Sequence, residues 1–160
     1  MGWFGRMSRS SASIVIRRPV SEVFAYMDDI SREIEWQPNL QFAKKHPEGP
    51  TMVGTEKRYE NRFLGRKVKN TYVVKELEPE RRIVYETTGE SSVSVRSEFV
   101  WEKVEQGTRV TIYIDGKGRG VLKLIPQKVL EAAFSEELRN TLDRLRKQME
   151  SLSGAEPEAP

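Results

Sequence analysis

Cysteine is absent from all 160 residues, so the chain can form no disulfide, no thiolate nucleophile and no sulfur-ligated metal site. Histidine is nearly absent. The single His46 precedes Pro47-Glu48-Gly49-Pro50 and reads as part of an exposed loop. A Ser-His-Asp device would need that imidazole buried beside a serine and an acid, and nothing around it points that way. A zinc site would have to rest on carboxylates, so neither a built-in metal nor any other cofactor is expected. Long apolar runs are missing too: none approaches the about 20 residues of a membrane-spanning helix. The start, Met1-Gly2-Trp3-Phe4-Gly5-Arg6-Met7, lacks the apolar core of a secretory signal. Gly2 invites a myristoyl group, but Arg6 stands where that motif wants Ser or Thr. Cytoplasmic residence fits these absences.

The basic residues do not merge into a run. The 27 basic residues are interleaved with 24 acidic ones for a net charge of +3, and pairs such as Lys44-Lys45 and Arg81-Arg82 sit near glutamates. A nucleic-acid binder gathers its cations on one face, so these residues read as a solvated surface and no nucleic-acid partner is expected.

What remains is patterned apolar residues in a chain long enough for one core. Ser13-Ile14-Val15-Ile16-Arg17 reads as a first strand. Pro19 opens a helix in which Val20, Val23, Phe24 and Met27 share a face, and Asp28-Asp29 leads to a second short helix from Ile30 to Trp36. The period then changes to two. Lys57, Tyr59, Asn61 and Phe63 alternate with charged neighbours, followed by Val68, Asn70, Tyr72 and Val74 after a turn at Gly65. Ile83, Tyr85 and Thr87 alternate with Arg82, Val84 and Glu86. Val93, Val95, Ser97, Phe99 and Trp101 come next, and after Glu105-Gln106-Gly107 the set closes with Val110, Ile112 and Ile114. Short turns between such strands predict an antiparallel meander with one wet face. A long helix from Val121 to Leu152 carries the stripe Phe134, Leu138, Leu142, Leu145, Met149 and Leu152, with Pro126 kinking it or separating a preceding turn. Gly116-Lys117-Gly118-Arg119-Gly120 lets the chain swing from sheet to helix; its spacing matches neither glycine-rich phosphate fingerprint. Residues 1–11 are expected to be a flexible tail, 12–152 the domain, and 153–160 a disordered acidic, proline-containing tail. Trp3 and Phe4 would dip into a membrane surface only if that first segment is more than a tail.

The expected fold class is therefore α+β: a curved antiparallel sheet wrapped around a long C-terminal helix, with two short helices after the first strand. The chain also resembles the START-like, Bet v 1-like (SRPBCC) superfamily, and within it the bacterial polyketide cyclase/dehydrase-like proteins. The resemblance runs from about Ser13 to Glu150. It is carried by Pro19-Val20-Ser21-Glu22-Val23-Phe24, Trp36-Gln37-Pro38, Val53-Gly54-Thr55 and Leu64-Gly65-Arg66, then by Leu77-Glu78-Pro79-Glu80-Arg81-Arg82 and Gly107-Thr108-Arg109-Val110-Thr111. It implies a helix-grip fold with a cavity between sheet and long helix, where family members bind or transform apolar molecules. The motifs are turns, caps and core positions, which carry scaffold and not chemistry.

The inward face of the expected cup supplies the ligand-binding candidates: Trp36, Tyr59, Asn61, Asn70, Tyr72, Tyr85, Ser97, Phe99, Leu130 and Phe134. Buried phenols and amides need partners, so this set implies either mutual hydrogen bonds, internal water, or a ligand's oxygen. Lys57 shares the inward parity as a minor candidate. Glu56, Glu60, Glu86, Glu98 and Glu102 all take the outward phase, so no inward carboxylate pair is expected from the strands and no catalytic residue is nominated. The expected function is binding or transport of a hydrophobic small molecule; that it is a lipid, quinone or aromatic polyketide is what the resemblance implies. A cyclase/dehydratase acting on a bound apolar substrate, and a protein-interaction module, are the alternatives.

Overall fold

In the computed structural model, which describes residues 8–155, seven strands form one antiparallel sheet ordered β1-β7-β6-β5-β4-β3-β2. The strands are β1 Ser8–Ile16, β2 Leu40–His46, β3 Glu56–Phe63, β4 Arg66–Glu78, β5 Arg82–Thr87, β6 Val93–Val104 and β7 Gly107–Gly118. Helices α1 Val20–Asp28 and α2 Glu33–Trp36 cross between the two edge strands, and α3 Gln127–Ala155 packs along the inner face. This is the helix-grip arrangement that the alternation and the single helical stripe predict.

The meander follows from hairpin chemistry. Leu64 and Gly65 both take positive φ, 53° and 74°, at the β3–β4 turn, where the tight reversal demands it. The inward set seals the core: Val74, Ile83, Val95, Trp101, Val110 and Ile112 are all buried. On α3 the inward stripe Leu130, Phe134, Leu138, Leu142, Leu145 and Met149 lies at no more than 6% exposure, each such side chain contributing about 1.5–3 kcal/mol of burial. A bulge between Val74 and Glu76 resets the parity of β4. It lets Leu77 rejoin the core opposite Ile83 while Glu76 turns outward to Arg82 and Arg96.

Several local expectations need correction. The first strand starts at Ser8, paired with Gly116, so residues 8–11 belong to the sheet; residues 1–7, with Trp3 and Phe4, lie outside the described residues. Leu40–His46, where the sequence pattern marks no strand, is an edge strand whose lysines and weak alternation hide its period. His46 is its exposed last residue. Val84 has outward parity but is fully buried, because Arg82, Glu98, Glu76 and Arg96 lay their stems and ion pairs across it. Pro126 does separate a preceding turn, the 3-10 turn Gly120–Leu124. The final helix continues to Ala155, past the expected start of the tail at Ser153, and residues 156–160 lie outside the described residues.

The glycine run before α3 has a packing explanation. A Cβ on Gly116 would stand 2.6 Å from Phe134 Cε2, and one on Gly118 would stand 2.3 Å from the Leu122 carbonyl oxygen. Gly120 adopts φ 57°. The first two glycines thus admit close approach by helix and turn, and the third reverses the chain.

Candidate functional site

Between the sheet, α2 and α3 lies a cavity of about 150 Å³. Nine of the ten nominated residues line it: Trp36, Tyr59, Asn61, Asn70, Tyr72, Tyr85, Ser97, Phe99 and Phe134. Leu130 does not. It is 1% exposed and packs beside Phe134 in a cluster with Phe63, Val68, Val95 and Leu122, one helical turn short of the lining. The rings form a continuous chain of edge contacts, Tyr59–Tyr72 at 5.7 Å, Tyr72–Tyr85 at 6.3 Å and Tyr85–Phe99 at 5.5 Å between centroids. Phe63 and Phe134 stack at 5.1 Å at the other end.

The two asparagines differ. Asn70 Oδ1 accepts the buried Val93 N–H at 3.2 Å, tying β4 to the start of β6. The side chains of Asn61, Tyr72 and Ser97 have no hydrogen-bond partner among the described residues, although all three line the cavity. The Trp36 indole N–H is buried without a partner.

The feature that strand parity missed is a buried polar cluster built by the short helices. Lys57, 1% exposed, donates to Asp28 Oδ1 at 3.1 Å and to the Tyr85 hydroxyl at 3.0 Å, and lies 3.8 Å from Glu33 Oε2. Glu33, 2% exposed, accepts from Tyr59 at 3.0 Å and from Gln37 at 2.5 Å. Asp28 also accepts from Thr51, itself held by Lys45. Both carboxylates line the cavity, as does Glu137 of α3; the strands supply none, as their outward phase predicts, and the inward carboxylates come from the helices. Lys57 is the cluster's central cation.

Burial pushes the Glu33 carboxyl up to about 7, against the opposing pull of Lys57 and of the Tyr59 hydrogen bond. Burial works against the Lys57 ammonium, but Tyr85, Glu33 and Asp28 together hold it above the ordinary lysine value. Burial likewise raises the phenols of Tyr59, Tyr72 and Tyr85, which therefore stay protonated as hydrogen-bond donors at neutral pH. Glu137, half-buried at the rim, is raised by burial and accepts from Asn39 at 3.3 Å. The one available signal for Glu33 was its spacing. It stands three residues before Trp36 and four before Gln37, the helical interval that shares a face. A four-residue helix is too short for a pattern to be read from it.

Chemically, the chamber offers an apolar aromatic wall, several uncommitted donors and acceptors, and a carboxyl that shares its proton near neutral pH. Among the described residues no group of three or more His, Asp or Glu side chains is placed to hold a metal ion, and no helix is long and apolar enough to cross a membrane.

Comparison with known proteins agrees with the architecture. A protein from Thermus thermophilus superposes with a TM-score of 0.77 at 16% identity, covering 91% of this chain and 99% of its own. An aromatase/cyclase from Streptomyces sp. R1128 gives 0.77 at 16% identity, covering 91% and 94%. A START superfamily protein from Mycobacterium smegmatis gives 0.75 at 12%, covering 90% and 98%. At such identities the likeness is one of fold. A comparison with curated proteins finds no match. The family model described as polyketide cyclase/dehydrase and lipid transport matches residues 7–150, nearly the whole chain, and the chain belongs to that family.

Proposed function

We propose that this protein binds a small apolar molecule bearing at least one oxygen, seated in the cavity between the sheet and α3. The observation that carries this reading is the wall itself. Aromatic rings from β3, β4, β5 and β6 surround space that packing leaves unfilled, and the side chains of Asn61, Tyr72 and Ser97 line it without a hydrogen-bond partner among the described residues. A polar group enclosed without a partner costs about 1–3 kcal/mol, which water or a ligand oxygen relieves. An apolar cavity of this volume takes a benzene-sized group, so the enclosed part of the ligand is on the scale of one ring. Any longer portion leaves by the polar rim of Gln37, Asn61 and Glu137. The experiment is titration with an environment-sensitive apolar fluorophore, then displacement by ring compounds with and without a hydroxyl or carbonyl. Saturable binding displaced better by the oxygenated ring is expected. Absence of saturable binding, or equal displacement by both rings, refutes the reading.

A second reading, turnover of the bound molecule, is favoured by Glu33. A carboxyl at about 7 in the cavity wall is populated in both protonation states near neutrality, which general acid–base transfer requires. Conversion of an oxygenated aromatic or β-keto substrate that vanishes in Glu33→Gln, while fluorophore binding persists, separates an enzyme from a carrier.

A further inference from the structure

The turn joining β7 to α3 holds apolar side chains that the core does not use. Val121 is 60% exposed, Leu124 85% and Val129 47%, while Leu122 between them is buried. Leu122 packs with Phe63, Val68, Val93 and Phe134. One leucine therefore pins the turn and its neighbours are held out in water. Three large apolar side chains exposed within nine residues mark a contact surface.

The surroundings are basic. Lys117, Arg119, Lys123 and Lys128 fall between Asp115 and Glu131, and no acidic residue interrupts them. The β3–β4 hairpin adds Arg66 and Lys67, which share a shallow cleft with Arg119, Gly120 and Val121. Lys67 is paired with Glu60 at 3.2 Å, and Arg119 donates to the Thr88 carbonyl at 3.4 Å. Arg66, Lys117, Lys123 and Lys128 make no ion pair among the described residues. Glu90, in the loop that contributes Ser91 and Ser92 to the cleft, is a local acid besides Glu60. The overall +3 charge of the chain is thus unevenly distributed, with cations gathered at this end.

Cations alone would suit any polyanion. The protruding residues here are aliphatic and not aromatic, so they offer no stacking platform for bases. Aliphatic side chains raised among lysines and arginines suit an anionic bilayer, where the apolar groups enter the interfacial zone and the cations meet phosphates. We propose that the face built on Val121, Leu124 and Val129, with its surrounding basic residues, docks on membranes containing anionic phospholipid. Phe63, Val68, Val93 and Phe134, on the inner side of Leu122, also line the cavity. The docked face lies one side-chain layer from the binding chamber, and its use in loading or releasing a ligand rests on the function proposed above.

The test is co-sedimentation of the full chain with vesicles of phosphatidylcholine alone and of phosphatidylcholine mixed with phosphatidylglycerol. Binding is expected only to the mixed vesicles and should weaken as salt is raised. Lys123→Ala with Lys128→Ala should weaken it roughly 25-fold, about fivefold for each cation near the surface. Val121→Ser with Leu124→Ser should also release the protein, with melting unchanged because both positions are exposed. Fluorophore binding in vesicle-free buffer should be retained by all these variants, so failure of docking and failure of the cavity reading are read separately. No binding to mixed vesicles, equal binding to neutral ones, or variants that bind like the wild type would overturn the proposal. So would tighter binding to single-stranded nucleic acid than to the mixed vesicles.

Discussion

Replacing Glu33 by glutamine tests whether the buried carboxyl holds its proton up to neutral pH. Its ordinary value of 4.5 rises to about 7 on folding, chiefly through burial. The folded protein therefore holds this proton more tightly than the unfolded chain. The stability it contributes is fully present below the unfolded value and is lost as pH climbs toward 7. At about 1.4 kcal/mol per pH unit, the loss between roughly pH 5 and pH 8 integrates to about 2–3 kcal/mol. For a domain of this size that is roughly 5–10 °C in Tm. The amide introduced by Glu33→Gln carries no titrating proton and resembles the protonated acid in shape. The half-buried Gln37 amide can turn to keep its hydrogen bond. Asp115 and Glu137, also raised by burial, add the same sign of slope but are common to both proteins. The assay is urea unfolding of wild type and variant at several pH values, with the difference between them plotted. The variant's stability relative to wild type should grow by about 2–3 kcal/mol across that window. Parallel pH profiles, or a wild type that gains on the variant as pH rises, would show that Glu33 is ionised throughout and that its partners outweigh its burial.

Asn70→Ala should destabilise the protein by about 1–3 kcal/mol, since it strands the buried Val93 N–H, whereas Asn61→Ala should cost under about 0.5 kcal/mol; chemical unfolding distinguishes them. The Asn61 variant should instead lose affinity for an oxygenated ring and keep it for a hydrocarbon ring, measured by fluorophore displacement. Phe134→Ala should cost about 3–5 kcal/mol, because the ring stacks on Phe63 and fills the space beside Gly116; a loss well under about 1 kcal/mol would show that the ring is not core. Gly116→Ala should cost about 1–3 kcal/mol and weaken fluorophore binding together, because the new methyl displaces the Phe134 ring that lines the cavity.

Much of the frame was legible in the chain. From β3 to β7 a period of two obliges alternate residues onto one face, and Tyr59, Asn61, Tyr72, Ser97 and Phe99 could be placed inward from parity alone. The stripe from Phe134 to Met149 named the helix face that would cover them. These are local properties, repeated over enough residues to be unambiguous.

Other features depend on which segments meet. Leu130 obeys the same stripe as Phe134, yet its place on the helix turns it into the Leu122 cluster and away from the cavity. Asn61 and Asn70 look alike in sequence, and only the arrival of Val93 makes one of them structural. Glu33 stands out in no sequence pattern; Lys57 and Tyr59 from β3 and Gln37 from the end of its own helix make it a buried acid. Sequence alone determined the strands from β3 to β7, their inward face and the covering helix, because burial of an amphipathic face is a local demand with one general solution. Tertiary structure decided where charge could be buried and which cavity-lining side chains were left without a hydrogen-bond partner, because a buried charge is tolerated only where partners from distant segments arrive to meet it.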